Sequence, residues 1–212
     1  MTRDEQVDRL TSAGVIVVVR LKDSSKAELL AEALIAGGVR AIEITMTTPG
    51  ALRIIENLAV RFGGDAMIGV GSVLSAQIAK EAINAGATFL VSPIGRTELV
   101  PICHGRDVPV MLGAYTPTEA QTAHESGADF VKLFPAEGLG PVYIKSLLAP
   151  LPHLKLVPTG GIDLNNIQKF RLAGCKAVGV GSSLVSAEWL AKADWAQLQA
   201  VSRAYIENWN SI

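Results

Sequence analysis

One lysine lies in the middle of a strongly apolar run. Lys132 occupies the centre of residues 130–135, where its neighbours are phenylalanine, valine, leucine and proline. Burial disfavours the ammonium form of such a lysine and leaves a fraction of neutral amine that can attack a ketone. This environment predicts imine chemistry, with Lys132 as the Schiff-base amine. The alternatives are a lysine that is salt-bridged inside the fold or that extends to its rim, and Lys22 is a second candidate amine.

A glutamate occupies a similar position in a second apolar run. Glu43 lies within residues 41–44, whose other members are alanine and two isoleucines, and a carboxylate buried there is costly unless it is paired. If Glu43 and Lys132 face the same space, the two groups can share protons. Glu43 would then serve carbinolamine formation, dehydration and proton transfer at the α-carbon. The alternative is an ion pair between Glu43 and Lys132 that only stabilises the fold.

Two glycine-rich segments and one arginine provide candidate sites for an anion. Residues 159–161 (Thr-Gly-Gly) precede a helical pattern that begins at Asp163, and residues 181–183 (Gly-Ser-Ser) precede another. Backbone N–H groups at such turns and at helix N-termini commonly bind phosphate in barrel enzymes. Arg20 ends an apolar run, and its planar fork suits a carboxylate, although a solvated loop arginine would look the same in sequence.

The histidines and cysteines provide no sign of a metal site or a disulfide framework. His104, His124 and His153 fall in helical or loop segments, without the spacing of metal ligands. Cys103 and Cys175 are too few for a thiolate cage or a set of disulfides. We therefore expect a cytoplasmic protein in a reducing environment, with no metal and no other cofactor.

The elements that must position these residues follow a repeated pattern. A helical stretch leads to a glycine and then to a short apolar run that ends in a polar or proline-containing turn. Four copies are clear, at residues 36–45, 85–93, 126–135 and 173–182, and four more apolar runs lie between them, at 15–19, 66–69, 108–112 and 154–157. Helical patterns separate the runs, at residues 26–36, 49–60, 76–85, 98–104, 117–125, 142–148, 164–173 and 189–209.

This alternation predicts the class of fold. Eight strands that alternate with helices, each too apolar for a half-exposed sheet, indicate an all-parallel sheet covered by helices. We expect an α/β fold in which a single (β/α)₈ TIM barrel forms one domain over residues 1–212. An open doubly wound sheet is the alternative, but it usually has fewer strands, and no Gly-x-Gly-x-x-Gly follows the first run. The active site of such a barrel lies at the carboxyl ends of its strands, where Arg20, Glu43, Lys132 and both glycine-rich segments fall.

Charge and hydropathy argue against two classes of partner. The 212 residues carry a formal net charge of −1, and the 19 Lys and Arg residues are scattered instead of clustered, so no nucleic-acid partner is expected. Apolar stretches are broken by glycine, proline or charge before the ~18 residues that a membrane span needs. We expect a soluble protein, without membrane association, that acts on a small-molecule substrate.

Five motifs in this order resemble the 2-keto-3-deoxy-6-phosphogluconate aldolase family, which includes the 6-phosphogalactonate and 4-hydroxy-2-oxoglutarate aldolases. They are residues 41–45 (AIEIT), 69–74 (GVGSVL), 91–93 (VSP), 131–137 (VKLFPAE) and 157–161 (VPTGG). The resemblance covers nearly the whole chain. It implies a metal-independent class I aldolase that cleaves a 2-keto-3-deoxy-6-phospho sugar acid to pyruvate and glyceraldehyde 3-phosphate through an imine on Lys132. It also implies a homotrimer.

The resemblance further implies roles for individual residues. Glu43 would carry protons, Pro93 would help to orient it, and Ser72 would hold the pyruvate portion together with Lys132 and a basic residue. The phosphate end of the substrate would be bound by residues at the last two strand ends, namely Thr159, Gly160, Gly161, Gly181 and Ser182.

Two departures from the family pattern bear on the substrate. The gluconate-type pattern has a carboxylate-binding arginine where this chain has Thr47, whereas the galactonate-type pattern uses an arginine at the end of the first strand, as Arg20 is placed. Arg20 with Thr47 also occurs in some gluconate-type members, so the stereochemistry at C4 stays open. Ser72 replaces the usual threonine and keeps its hydroxyl. The alternative functions are a 4-hydroxy-2-oxoglutarate aldolase, a sugar-phosphate isomerase or epimerase, and a barrel that binds a ligand without turnover.

Overall fold

Eight parallel strands form the centre of the computed structural model, which describes residues 1–211. They are β1 (Val15–Val19), β2 (Ala41–Thr45), β3 (Met67–Gly71), β4 (Leu90–Val91), β5 (Val110–Ala114), β6 (Phe130–Leu133), β7 (Leu156–Pro158) and β8 (Val178–Val180). Neighbours in sequence pair in parallel from β1 to β7, and β8 pairs with β1. A parallel bridge between Thr159 and Gly179 joins β7 to β8. The predicted (β/α)₈ TIM barrel is therefore confirmed.

Helices cover the outside of the barrel and alternate with its strands. Helix α1 (Arg3–Ala13) precedes β1, and a 3₁₀ turn (Ser24–Lys26) precedes α2. The remaining helices are α2 (Ala27–Ala36), α3 (Ala51–Phe62), α4 (Ala76–Asn84), α5 (Leu99–His104), α6 (Pro117–Glu125), α7 (Gly140–Leu148), α8 (Ile167–Leu172), α9 (Ala187–Lys192) and α10 (Trp195–Asn210). Within residues 1–211, no helix has both the length and the apolar character required to cross a membrane.

Side chains alternate along each strand between the barrel interior and the surrounding helices. On β6, Val131 and Leu133 pack in the apolar cluster beneath the helices, so the intervening Lys132 faces the interior. The same alternation on β2 turns Glu43 inward. A second apolar cluster, which includes Ala41 and Phe130, lies in the interior beneath these two charged residues. The strand period therefore places both charges in one layer, above an apolar floor.

Helix α1 closes the amino-terminal end of the barrel. Thr2 and Glu5 form a capping box at its start, and Val7 and Leu10 are buried among the inward-facing side chains of the strands. The repeated pattern begins only at the first strand and gave no prediction of this helix. Its apolar face is explained by its packing against the apolar cluster in the barrel interior.

The helix predicted over residues 189–209 is wrong in one respect, because the structure has two helices there. Ala193 ends α9 in the left-handed region, with a φ of +52°. Asp194 then caps the start of α10, and its side chain accepts a hydrogen bond from Gln197 N at 3.0 Å. Alanine rarely adopts a positive φ, so its presence gave no sign of a break at this point.

Candidate active site

Lys132 and Glu43 meet in the barrel interior, on strands that lie across the barrel from each other. Lys132 Nζ is 3.7 Å from Glu43 Oε1. Only 5% of Lys132 and 3% of Glu43 is exposed to solvent. Two opposite charges this close and this far from water attract each other strongly. The pair can therefore exchange protons with a molecule that is bound between them.

A glycine makes the space that the glutamate needs. Gly71 is on the adjacent strand β3, and a Cβ at this position would overlap the Glu43 carboxylate. Glu43 Oε1 is buried and has no hydrogen-bond partner among residues 1–211. An unpartnered buried carboxylate oxygen is costly. This oxygen is therefore an available acceptor for a proton or for a hydroxyl of a bound molecule.

Phe134 lies beside the lysine. Its ring centroid is 5.3 Å from Lys132 Nζ, and 39% of the residue is exposed. The face of an aromatic ring stabilises a nearby cation, so the Phe134 ring can stabilise a positive charge on a group attached at Nζ. Sequence reasoning missed this residue as part of the site. Its signal was its position two residues after Lys132, which places both side chains on the same face of an extended segment.

Ser72 and Pro93 follow β3 and β4 at the same end of the barrel, and both are partly buried. Ser72 comes directly after Gly71 and has a φ of +59°. Residues other than glycine seldom adopt this conformation, and they do so most often at functional sites. The backbone of Pro93 packs so closely against β5 that a Cβ at Gly113 would overlap it. The structure thus holds both predicted residues in fixed positions at the rim above the Lys132–Glu43 layer.

A cleft of about 840 Å³ opens at the carboxyl ends of β1, β7 and β8. Phe134 lines the cleft, so the cleft adjoins the buried pair. Thr47, Ser72 and Pro93 are outside its lining. Six predicted site residues line it: Arg20, Thr159, Gly160, Gly161, Gly181 and Ser182.

The two glycine-rich segments present backbone N–H groups at this cleft. Gly160 and Gly161 have φ values of +100° and +69°, and Ser182 and Ser183 open a turn that is closed by hydrogen bonds to the carbonyl of Gly181. In the described part of the chain, no acceptor pairs with the backbone N–H groups of Gly160, Gly161, Ser182 and Ser183. Unpaired donors on two adjacent strand ends suit an anion such as phosphate.

Arg20 and Thr47 have different surroundings. Arg20 is exposed and lines the cleft, where its guanidinium can meet the anionic end of a ligand. Thr47 is exposed outside the cleft, and its Oγ1 is 3.0 Å from Thr45 Oγ1. Lys22, the other candidate amine, also lines the cleft but is exposed. Of the two candidate amines, Lys132 is the one with the burial that imine chemistry needs.

The histidines lie apart from this arrangement. His104 contacts Arg3 and Asp129 at the amino-terminal end of the barrel. The rings of His124 and His153 pack together with centroids 4.6 Å apart. Among residues 1–211, no three His, Cys, Asp or Glu side chains converge as metal ligands do.

Comparison with known proteins identifies the family to which this arrangement belongs. The sequence model of the KDPG and KHG aldolase family matches residues 7–201. The 2-dehydro-3-deoxy-phosphogluconate aldolase of Treponema pallidum is 38% identical over 94% of this chain and 95% of its own length. The 2-dehydro-3-deoxy-6-phosphogalactonate aldolase of Escherichia coli is 32% identical over 93% of this chain and 97% of its own length.

A solved structure agrees with the sequence comparisons. KDPG aldolase from Legionella pneumophila, with pyruvate captured as a covalent carbinolamine intermediate, has a TM-score of 0.86 to this chain. The two are 30% identical, over 94% of this chain and 97% of that one. The fold, the residues at its strand ends and these likenesses lead to one conclusion. The chain belongs to the KDPG and KHG aldolase family and is a lyase.

Proposed function

We propose that this aldolase cleaves a 2-keto-3-deoxy-6-phospho sugar acid to pyruvate and glyceraldehyde 3-phosphate through a Schiff base on Lys132. The observation that carries the proposal is the buried pair of Lys132 and Glu43, with 3.7 Å between Nζ and Oε1. The adjoining cleft supports a phosphorylated substrate because its lining includes unpaired backbone donors. The names of the gluconate-type and galactonate-type relatives support the substrate class.

Imine formation uses both members of the pair. The neutral amine of Lys132 attacks the C2 ketone, and the proton that the nitrogen loses is taken up by the new carbinolamine oxygen. Glu43, acting as an acid, then protonates the carbinolamine hydroxyl, which leaves as water. The product is an iminium at Nζ. Its positive charge is stabilised by the Glu43 carboxylate and by the ring of Phe134, 5.3 Å from Nζ.

Cleavage follows because the iminium accepts the electron pair of the C3–C4 bond. Glu43 removes the proton from the C4 hydroxyl, C4 becomes the aldehyde carbon of glyceraldehyde 3-phosphate, and an enamine of pyruvate remains on Lys132. Glu43 then returns the proton to C3, and water hydrolyses the imine to release pyruvate. Oε1 of Glu43 suits these steps, because no residue of the described chain forms a hydrogen bond with it.

The rest of the substrate extends into the cleft. The phosphate accepts hydrogen bonds from the backbone at the two glycine-rich segments, next to Thr159. Arg20 binds the carboxylate, Ser72 holds the pyruvate portion by its hydroxyl, and Pro93 helps to orient Glu43. Thr47 contributes through its contact with Thr45, 3.0 Å between hydroxyl oxygens. The residues that bind the phosphate are Gly160, Gly161, Gly181 and Ser182.

The assembly that we propose is a cytoplasmic homotrimer. Large apolar side chains are exposed along one side of the catalytic rim, and exposed apolar patches commonly mark protein contacts. We expect light scattering to give three times the mass of one chain, and a monomer would contradict this part of the proposal. These residues are Leu74, Ile94, Tyr115, Phe134 and Val142, which are between 39% and 79% exposed.

Reductive trapping tests the Schiff base. Pyruvate with cyanoborohydride should add a reduced pyruvyl group to Lys132, with no added metal, and should abolish cleavage. Lys132→Ala should remain folded and lose both labelling and activity. Lys155→Ala is the matched control, because Lys155 is also a barrel lysine near an aromatic ring, 5.9 Å from the centroid of Phe130. A pyruvyl label on another lysine, or no label, would contradict the proposal of a Schiff base on Lys132.

A comparison of substrates tests the substrate class. Pyruvate release should be measured from the phosphorylated gluconate and galactonate acids and from 4-hydroxy-2-oxoglutarate. We expect the phosphorylated acids to have the higher kcat/KM, because the backbone donors of the cleft contact only them. A preference for 4-hydroxy-2-oxoglutarate would leave the Schiff base intact and remove the phosphate from the proposed function.

A further inference from the structure

Arg20 is held on both sides by threonine hydroxyls from the neighbouring strand and the turn after it. Thr45 Oγ1 donates a hydrogen bond to Val19 O at 3.2 Å. Thr48 Oγ1 accepts the N–H of Leu21 at 3.1 Å. These contacts are made to the two peptide groups that flank Arg20. The backbone on each side of the arginine is therefore fixed by a different threonine.

The two threonines form one unit, which we call the threonine clamp. Thr45 is 1% exposed and Thr48 is 3% exposed. The backbone N–H of Thr48 donates to Thr45 O at 2.9 Å, so the turn that carries both hydroxyls is itself closed. Leu21, whose N–H meets Thr48, is also buried. Without the Thr48 hydroxyl this N–H would lose its partner in a place with little access to water.

Thr47 supports the same unit. Its Oγ1 is 3.0 Å from Thr45 Oγ1. Because Thr45 has a single hydroxyl proton and donates it to Val19 O, Thr47 acts as the donor in this contact. A hydroxyl oxygen that accepts one hydrogen bond becomes a stronger donor in another. Thr47 therefore strengthens the contact that fixes one side of Arg20.

We propose that Thr45 and Thr48 are positioning residues for Arg20, and that the threonine clamp sets where the carboxylate of a 2-keto acid is bound. This inference rests on the proposed function, because it takes Arg20 as the carboxylate ligand. Arg20 is exposed and extends from the end of β1, so its own side chain is not fixed by packing. A bidentate contact between Arg20 and a carboxylate needs a fixed backbone position from which the side chain extends. The threonine clamp provides that fixed position.

Four variants test the clamp: Thr48→Val, Thr48→Ser, Arg20→Ala and the double variant Arg20→Ala/Thr48→Val. Valine keeps the shape of threonine and loses the acceptor, whereas serine keeps the acceptor. Thr48→Val should raise the KM of the phosphorylated substrate on the order of tenfold with a much smaller change in kcat. The pyruvate concentration needed for half-maximal trapping on Lys132 should rise in parallel. Thr48→Ser should restore both values.

The double variant separates positioning from general damage to the fold. In the Arg20→Ala background, Thr48→Val should raise KM by no more than about twofold, because the arginine that it positions is absent. Thr88→Val is the control for loss of a threonine hydroxyl, since Thr88 Oγ1 hydrogen-bonds to the backbone of a neighbouring strand, donating to Ile68 O at 3.1 Å, just before β4 and away from the cleft. It should leave KM unchanged.

Several outcomes would overturn the proposal of the threonine clamp and leave the proposed aldolase function intact. An unchanged KM in Thr48→Val would do so, as would an equal rise in the two backgrounds or a failure of serine to rescue. If Thr48→Val does not fold, amide exchange in the unaltered protein decides the question: the Leu21 amide should be protected, and rapid exchange would overturn the proposal. Absence of the pyruvyl adduct on Lys132 in the unaltered protein is a different result, since it overturns the proposed function and the clamp with it.

Discussion

The side chain that Gly71 lacks would occupy the position of the Glu43 carboxylate. The two residues are on adjacent parallel strands, and Gly71 pairs in register with Thr45, two positions beyond Glu43. The Glu43 carboxylate, whose Oε1 is 3.7 Å from Lys132 Nζ, can therefore occupy its position because Gly71 on the next strand has no side chain. A glycine outside the proposed set of substrate-binding residues thus helps to position the proposed proton carrier.

Gly71→Ala should displace Glu43 while leaving Lys132 in place. Gly71 does not have a positive φ, so alanine strains the backbone little and acts through its overlap with the carboxylate. We expect kcat to fall by about 100-fold, the range for loss of an aligned general acid–base group. Trapping of pyruvate on Lys132 should become slower but still occur at that residue. Steady-state kinetics and mass spectrometry of the trapped protein measure the two effects.

Gly64→Ala is the control for this prediction. An added Cβ at Gly64 has no atom within 4 Å, so the variant changes a glycine of the same segment of chain without touching the site. It should keep the kcat of the unaltered protein. A Gly71→Ala enzyme with normal kcat would show that the glutamate tolerates displacement or is not the proton carrier.

The sequence was sufficient to predict the barrel and its central pair, for a physical reason. Each of the two residues, Glu43 and Lys132, is a single charge within an apolar run of strand length. The period of a strand then determines which face the charge occupies, and the carboxyl end of a barrel is where such residues gather. These inferences need only local sequence and the rule that buried charges are paired.

Features that depend on distant contacts could not be predicted in this way. The contacts of Thr45 and Thr48 with the residues around Arg20 arise from the register between β1 and β2, and register has no signal within either run. The space for Glu43 depends on Gly71 for the same reason. The break at Ala193 depends on a left-handed alanine, which tertiary packing selects against the residue's own preference.

Gly161→Ala should weaken binding of the phosphate without affecting the Schiff base. Gly161 has a φ of +69° and packs against Glu137, so an added Cβ is both strained and obstructed. Displacing this segment moves its backbone donors, and the KM of the phosphorylated substrate should rise by about tenfold or more. Trapping of unphosphorylated pyruvate on Lys132 should be unchanged. The two assays on one protein distinguish the phosphate end from the amine.

Gly50→Ala controls for the strain itself. Gly50 has nearly the same φ, +70°, but an added Cβ there would meet nothing within 4 Å. Its cost should therefore be limited to about 1 kcal/mol of stability from the left-handed backbone, with KM unchanged. If both variants raise KM equally, general strain and not the anion site explains the result.

The two cysteines should be unreactive in the folded protein. Burial raises the pKa of the Cys175 thiol to about 12, and burial, together with the nearby charge of Asp129, raises the pKa of the Cys103 thiol to about 12. The thiolate is the reactive form, so iodoacetamide at a pH of about 8 should modify neither residue until the protein unfolds. Activity should persist through the treatment. Rapid modification with retained activity would contradict the burial of these thiols.

The same shifts predict a loss of stability in alkali. In the unfolded chain a thiol ionises near its ordinary pKa of about 8.5, whereas the folded protein keeps both thiols protonated up to about 12. The contribution of each protonated thiol to the stability of the folded protein is complete below the pKa of the unfolded chain. It declines as the pH rises from that value towards the pKa of the folded protein. The free energy of unfolding should fall by up to about 1.4 kcal/mol per pH unit for each thiol in that window. Cys175→Ala should remove its part of the slope in a denaturation series from neutral to alkaline pH.

Asp129 should matter for stability and not for catalysis. Its carboxylate accepts Val110 N at 2.8 Å, and it lies 3.1 Å from His104 Nε2 and 3.3 Å from Arg3 Nε. These contacts tie helix α1 to the start of β5 and β6, at the end of the barrel opposite the cleft. Asp129→Ala leaves the buried N–H of Val110 without its acceptor and removes the carboxylate beside Arg3 and His104, so we expect the free energy of unfolding to fall by about 1–3 kcal/mol. Urea denaturation measures this change.

Enzyme kinetics of Asp129→Ala, and the stability of a surface control variant, test whether Asp129 acts on stability alone. Because α1 covers the apolar floor and not the Lys132 layer, kcat and KM should be unchanged at temperatures where Asp129→Ala remains folded. Amide exchange should increase first in α1, whose anchor is removed. Asp65→Ala changes an exposed aspartate in the loop before β3 and should alter stability by no more than about 0.5 kcal/mol. A large loss of kcat in Asp129→Ala, at full occupancy of the folded state, would mean that the floor and the catalytic layer are coupled more tightly than their separation in the barrel indicates.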